Sequence, residues 1–137
     1  MYAAAADLVD RFTIEEVSAL APSEMPNEYN LVVINSAMED ADAEINSYLA
    51  VRYAVPVEGS KQLKAVACDI ARYRMYDNDA PEQVETRYQQ RVTWLKDVAA
   101  GRATLGIAES ITSQTLAVTT TKNRESRTFT RDSLANF

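Results

Sequence analysis

The sequence of 137 residues contains no histidine and a single cysteine, Cys68. Without histidine the chain has no imidazole that binds a metal, activates a serine or cysteine nucleophile, or exchanges protons near neutral pH. One cysteine cannot form an internal disulfide, and a free thiol suits a reducing compartment and a buried place beside a helix. Only three glycines are present, and none belongs to a phosphate-binding loop. We therefore do not expect an enzyme.

The sequence also lacks a long apolar run and an overall positive charge. No charge-free stretch approaches the roughly 20 apolar residues of a membrane helix, and the first residues lack the basic segment of a secretory signal. The formal net charge is −6, which argues against general nucleic-acid binding because phosphate contacts need basic groups. An acidic surface would instead repel DNA that has to slide past it.

Charge and composition divide the chain at Gly101. Residues 1–101 contain 9 Lys+Arg against 17 Asp+Glu, a net charge of −8, and residues 102–137 contain 5 against 3, a net charge of +2. Ser and Thr account for 12 of the last 36 residues. A segment of this kind cannot bury a core of its own. We predict a helical domain over 1–101 and an extended docking arm over 102–137 that becomes ordered on another subunit.

Apolar spacing before Gly101 predicts an all-α fold, a small helical bundle of two short helices followed by three longer ones. The short helices are expected over about 7–12 and 13–21. Thr13 and Glu16 match a capping box, in which the Thr13 oxygen accepts from the Glu16 amide and the Glu16 carboxylate reaches back to the Thr13 amide.

The first long helix is expected to start at a cap formed by Asn27 or Asn30 and to end before Pro56 and Gly59. Its apolar residues recur at steps of three and four, which predicts one buried stripe. They are Leu31, Ile34, Met38, Ala41, Ile45, Tyr48 and Leu49. A second long helix is expected over about 60–76, with its own apolar side.

The last helix is expected to begin at a second capping box, with Asp79 as the cap, Pro81 in the first turn and Glu82 reaching back. Gly101 is a natural stop. Aromatic residues on or beside the stripes of the long helices are expected to fill the bundle, with each hydroxyl at its edge. They are Tyr48, Tyr53, Tyr73, Tyr76 and Tyr88, and Trp94 is expected in the core or an interface.

A metal site has little support. Asp40, Asp42 and Glu44 resemble the start of a calcium loop, but the position that needs glycine for the turn is Ile45. A solvated helix face is the better interpretation. A di-metal bundle would need a Glu-x-x-His pattern, which a chain without histidine does not have. No metal and no cofactor is expected.

The arm ends in alternating charge and isolated large apolar groups. Residues 115–119 and 127–130 are rich in β-branched residues and predict short strands, which a partner surface would have to complete. Acidic residues interrupt the positive charge, which disfavours a nucleic-acid arm, and the alternative is a solvated terminus. The exposed apolar groups favour docking. The predicted docking residues are Arg124, Arg127, Phe129, Arg131, Asp132, Leu134 and Phe137.

Three segments are distinctive when taken together. The first is Ile45-Asn46-Ser47-Tyr48-Leu49-Ala50-Val51-Arg52-Tyr53-Ala54-Val55-Pro56. The second comprises Asp69-Ile70-Ala71-Arg72-Tyr73, then Tyr88, Trp94-Leu95-Lys96 and Gly101. The third is Arg127-x-Phe129-Thr130-Arg131-Asp132-x-Leu134-x-x-Phe137. In these segments the chain resembles the small neck proteins of Mu-like phages and prophages, a family of head–tail adaptors.

The resemblance implies a homo-oligomeric ring, with a dodecamer expected, beneath the portal of a tailed phage head. In this arrangement the arm inserts between portal subunits, the other side contacts a downstream stopper or tail-terminator protein, and DNA only passes through the channel. The expected location is the virion neck, and the host cytoplasm during assembly. Asn46 departs from the family pattern, which usually has aspartate there. If this position pairs with Arg52 or Arg72, a neutral hydrogen bond replaces an ion pair.

An alternative function uses the same features. A small phage regulatory or inhibitor protein could fold its arm on a host target, while its acidic helical domain mimics nucleic acid. Recovery of a host enzyme, rather than a virion protein, would favour this alternative.

Overall fold

The structure, a computed structural model, describes residues 1–108. The predicted all-α fold is confirmed, since this part of the chain contains helices and no strand. The five helices are α1 (Ala5–Phe12), α2 (Ile14–Leu20), α3 (Leu31–Leu49), α4 (Lys61–Met75) and α5 (Glu82–Ala99). The strands predicted at 115–119 and 127–130 lie outside the described residues.

Helix α4 is the centre of the bundle. It packs against α3 on one side, against α5 on a second side and against α1 on a third. Packing on three sides buries seven of its fifteen residues, among them Cys68 and Asp69. The buried surface of α4 is therefore wider than the single apolar stripe expected of a surface helix. The α1–α2 pair therefore covers a face of α4 that the three long helices would leave open.

The apolar stripe of α3 is buried as predicted except at Leu31 and at Tyr48, which is only partly buried. Ile34, Met38, Ala41, Ile45 and Leu49 are each 0% exposed. Leu31 is 54% exposed, so its predicted place in the core is wrong. It is the first residue of α3 and lies at the end of the bundle, next to the loop over 22–30 rather than beneath another helix.

Half of the predicted capping box at α2 forms. The Glu16 amide donates to Thr13 Oγ1 at 3.4 Å, but the Glu16 carboxylate does not reach back. The Thr13 amide already donates to the Val9 carbonyl at 3.1 Å, because Thr13 also closes α1. The Glu16 carboxylate is therefore available to α4, where it accepts from Arg72 and Tyr76 at 2.6 and 2.9 Å.

The structure distinguishes between the two asparagines proposed as the cap of α3. Asn30 Oδ1 accepts from the Val32 amide at 3.0 Å, whereas Asn27 lies in the preceding loop with φ of 60°. Helix α4 begins in a similar way, since Ser60 Oγ accepts from the Leu63 amide at 3.3 Å. Both caps satisfy amides that a helix start leaves without an intrahelical partner.

The capping box predicted at α5 is wrong. Pro81 occupies the cap position itself, with no side-chain cap hydrogen bond, and its carbonyl accepts from Val84 and Glu85 at 2.9 and 3.1 Å. Asp79 lies two residues too early to reach the first-turn amides. Its own amide donates to the Tyr76 carbonyl at 3.1 Å, in the turn that leaves α4. The fixed φ of proline therefore starts α5 without a polar cap.

Gly101 ends α5 as predicted. Its φ of 78° lies in the left-handed region that favours glycine. The amides of Gly101 and Arg102 donate to the carbonyls of Val98 and Asp97 at 3.1 and 2.8 Å, a Schellman arrangement. The Arg52 guanidinium packs directly on this glycine, so that a Cβ added at position 101 would lie 2.9 Å from Arg52 Cζ.

The chain stays attached to the bundle past Gly101. Leu105 is 8% exposed, and its amide donates to the Tyr53 hydroxyl at 3.3 Å. Tyr53 is itself buried, just after the end of α3. The root of the arm is therefore fixed next to the connection between α3 and α4.

Cys68 lies within the core, and we expect it to be unreactive in the folded protein. Its side chain is buried, and burial raises the pKa of the thiol to about 11. The nucleophilic thiolate is therefore scarce at neutral pH and out of reach of reagents. Titration with a chromogenic disulfide should give almost no reaction in buffer and one equivalent in guanidinium chloride. Rapid reaction of the native protein would contradict this packing.

Candidate functional site

A buried carboxylate lies where α1, α4 and α5 meet. The Asp69 side chain is 0% exposed, and its Oδ2 accepts from Arg91 Nε at 2.6 Å. Arg11 and Arg87 each approach Oδ1 to 3.8 Å. Among the described residues Oδ1 has no hydrogen-bond partner. Arg91 is thus the group that satisfies the buried charge, and the other two guanidiniums act at longer range.

The three arginines carry more positive charge than the single Asp69 carboxylate can neutralise. One carboxylate faces three guanidiniums, which leaves an excess of two positive charges around Asp69. The side chains of Arg11, Arg87 and Arg91 are 38%, 50% and 33% exposed. They therefore present positive charge to solvent even though the domain over 1–101 has a net charge of −8.

A groove of about 280 Å³ continues this positive surface between α4 and α5. Trp94, Ala65 and Val66 contribute apolar area, and Lys61 and Arg91 contribute charge. Trp94 is half-buried and packs against the core, in agreement with the sequence-based expectation. We call the surface formed by Arg11, Lys61, Arg87, Arg91 and Trp94 the basic face.

The first turns of α3 carry a second surface of a different kind. Three consecutive apolar residues, Leu31, Val32 and Val33, are 54%, 76% and 39% exposed, and Met25 in the preceding loop is 62% exposed. Burying a side chain of this size is worth about 1.5–3 kcal/mol. Such a cluster is typical of a surface that a partner covers.

Acidic residues border these apolar groups. Glu39 lies two helical turns after Val32 on the same side of α3 and is exposed. Asp40 lines a shallow groove together with Val32 and Val33. Arg74 also lines this groove, but its guanidinium donates to Glu44 at 2.8 Å. We call the surface formed by Met25, Leu31, Val32, Val33, Glu39 and Asp40 the α3 face.

A polar network holds the three long helices in register. Glu44 on α3 accepts from Arg74 on α4 and from the Tyr88 hydroxyl on α5, both at 2.8 Å. The Tyr88 ring stacks on Tyr73 with centroids 4.0 Å apart. Burial, together with the hydrogen bond to Glu44, raises the pKa of Tyr88 to about 12. The phenol therefore remains a donor to Glu44 throughout the neutral range.

A second network attaches the short helices to α4. Arg72 donates to Glu16 on α2 at 2.6 Å, and its guanidinium lies 4.3 Å from the centroid of the Phe12 ring on α1. Because α1 also supplies Arg11, this attachment positions one of the three guanidiniums around Asp69.

Asn46 takes part in a contact with the start of the chain. Its Oδ1 accepts from the Tyr2 hydroxyl, which in turn accepts from the Val57 amide at 3.1 Å. The Tyr2 amide donates to Asp42 at 3.0 Å. Arg72, one of the two partners suggested for position 46, is bound to Glu16 instead. Asn46, a neutral amide, thus forms its hydrogen bond with a neutral group, the Tyr2 phenol.

Residues 1–108 contain neither a candidate metal cluster nor a candidate membrane-spanning helix. No three His, Cys, Asp or Glu side chains in this part of the chain lie together in a way that could hold a metal ion. None of the five helices described is both long and apolar enough to cross a bilayer.

The docking residues predicted from the sequence all belong to the arm. Arg124, Arg127, Phe129, Arg131, Asp132, Leu134 and Phe137 lie outside the described residues. Sequence reasoning missed the basic face. Two signals were available: Asp69 lies within the most apolar part of α4, and Arg87 and Arg91 are one helical turn apart.

Comparison with known proteins then identifies the family. The model of the family described as "Bacteriophage Mu, Gp36" matches residues 2–122. The chain belongs to this family. The resemblance to proteins of Mu-like phages that the sequence suggested is therefore confirmed.

Two proteins, one from a Mu-like prophage and one from phage Mu, are similar to this chain over most of their length. The Mu-like prophage FluMu protein gp36 of Haemophilus influenzae is 30% identical over 110 residues, which cover 80% of this chain and 78% of the relative. Gene product J of Escherichia phage Mu is 30% identical over 108 residues, 77% of each chain. The match to the family model, which ends at residue 122, extends through the helical bundle and past Gly101.

Proposed function

We propose that this chain is a structural head–tail adaptor of a tailed phage. It would form a ring, expected to contain twelve subunits, between the portal and the next neck or tail component. DNA would pass through the channel of the ring without sequence-specific contacts. The role is structural rather than catalytic, and it places the protein in the neck of the virion after assembly in the host cytoplasm.

The observation that carries the proposal is the division of a phage-family chain into two unlike parts. The helical bundle is well packed and acidic, and the arm that follows is basic and rich in Ser and Thr. An acidic wall suits DNA that must move without sticking. An arm with isolated apolar groups suits a segment that gains its contacts from a partner.

Deleting residues 124–137 tests the function. We expect the shortened chain to keep its helical circular dichroism and its cooperative unfolding, because α1–α5 and the anchored Leu105 precede the deletion. We expect it to lose attachment to the portal protein of the same phage, measured by co-purification. Undiminished attachment of the shortened chain would contradict the proposal.

A matched pair of substitutions refines this test. Phe129→Ala should weaken attachment to the portal at least about tenfold, because a buried aromatic ring is often a major contributor to an interface. Thr128→Ala, one residue away, should change it little. If pull-down with the full chain recovers a host enzyme and no virion protein, the regulatory or inhibitor function replaces the adaptor.

A further inference from the structure

We propose that the basic face of one subunit binds the α3 face of a second copy of the chain. The inference rests on the proposed function, because it names the contact between neighbouring subunits of the ring. It concerns the helical bundle alone, whereas the portal contact is assigned to the arm.

The two faces are complementary in charge and in apolar area. The basic face carries an excess of two positive charges around Asp69, further charge from Lys61, and the partly exposed Trp94 ring. The α3 face combines exposed aliphatic groups with Glu39 and Asp40. An interface with an apolar centre and opposite charges around it is favourable and selective.

The basic face is built in advance of binding. Asp69 is fully buried and draws three guanidiniums from two helices toward one point, so these side chains are already oriented before a partner arrives. Arg11 and Arg87 remain 3.8 Å from the carboxylate, and both side chains stay well exposed. They can therefore donate hydrogen bonds to carboxylates of a neighbour with little further ordering.

The position of the two faces dictates the symmetry of the contact. The basic face lies in the region of α4 flanked by α1 and α5, whereas the α3 face lies on the exposed side of α3, which packs against another side of α4. Either face paired with itself would bring like charges together. A head-to-tail contact avoids this repulsion, and repeated head-to-tail contacts close into a ring when the rotation permits.

Two charge reversals on the full chain test the contact. Lys61→Glu alters the basic face, and a glutamate is well tolerated there because position 61 opens α4. Glu39→Lys alters the α3 face at an exposed position in mid-helix. Lys96→Glu on α5, outside both faces, is the matched control. Association is measured by sedimentation at low salt up to millimolar concentration, and unfolding curves check that each variant is folded.

We expect the wild-type chain and the Lys96→Glu variant to associate, with affinity that falls as salt rises. Each face variant should associate at least about tenfold more weakly on its own. A 1:1 mixture of the two face variants should nevertheless form a dimer with wild-type affinity. This follows because the Lys61→Glu chain retains an intact α3 face and the Glu39→Lys chain retains an intact basic face.

Three results would overturn the inference: a wild-type chain that remains monomeric at these concentrations, a Lys61→Glu variant that associates like the wild type, or a mixture that remains monomeric. Loss of association on deleting 124–137 would also overturn it, because the arm would then be the occupant. Portal attachment is measured separately, so the proposed function can stand when this contact fails, and the contact can stand when portal attachment fails.

Discussion

Replacing Arg91 with methionine is expected to lower the free energy of unfolding by about 3–5 kcal/mol. The Asp69 side chain is 0% exposed, and Arg91 makes its hydrogen bond at 2.6 Å. Methionine keeps the apolar stem of the arginine but leaves a buried carboxylate with only the two more distant guanidiniums. Leaving one member of a buried ion pair in place is far more damaging than removing both, because the remaining charge has lost its hydrogen bond and is not hydrated.

Arg87→Met is the matched control for this prediction. Arg87 is on the same helix, is 50% exposed and stays 3.8 Å from Asp69, so its loss should cost less than about 1 kcal/mol. The double variant Asp69→Asn/Arg91→Met should recover part of the lost stability, because a neutral amide is less costly to bury. Denaturant unfolding of the four proteins measures these differences. Equal effects of the two single arginine variants would show that Asp69 does not depend on Arg91.

The second large effect is expected at Gly101. Gly101→Ala should destabilise the protein by about 2 kcal/mol, from two sources. A Cβ in the left-handed region costs roughly 1–2 kcal/mol, and here it would also displace the Arg52 guanidinium that packs on the glycine. Because the guanidinium is the far end of a long flexible side chain, moving it costs only the strain of a changed rotamer, about 0.5–1.5 kcal/mol.

Gly59 provides a control with the same backbone conformation. Its φ is 74°, close to the 78° of Gly101, but a Cβ at position 59 would meet no heavy atom within 4 Å. Gly59→Ala should therefore show the backbone cost alone, about 1–2 kcal/mol. The difference between the two variants isolates the contact with Arg52. Identical shifts in the midpoint of thermal unfolding would mean that Arg52 moves aside without loss.

Local features of the fold could be predicted because they depend on residues close together in sequence. Apolar spacing located the three long helices and most of the buried stripe of α3. Gly101 acted as expected, and Asn30 proved to be the cap among the two candidates, because a helix end needs a left-handed residue or a capping oxygen whatever surrounds it. Errors arose where one residue had two possible partners, as with the Glu16 carboxylate.

The charged surfaces depend on long-range contacts, which explains why the sequence did not predict them. Glu16 and Arg72 are 56 residues apart, and Arg91 is 22 residues from Asp69. Apolar spacing shows which side of a helix is buried but not how far one helix slides along another. A shift of one turn would place Asp69 beside different residues of α5. The exposure of Leu31 likewise depends on the packing at the end of the bundle, which the apolar spacing within α3 does not show.

The attachment of Leu105 to Tyr53 gives each subunit a polarity. The arm departs from the end of the bundle where α3 meets α4, and Tyr2 is bound at that same end through Val57. The loop that carries Met25 lies at the other end, separated by the 19 residues of α3, or about 28 Å. Subunits arranged side by side in one orientation would expose chemically different upper and lower rims. Such a layer would offer a different surface on each side. It could therefore bind two different proteins, one above and one below, without an additional chain.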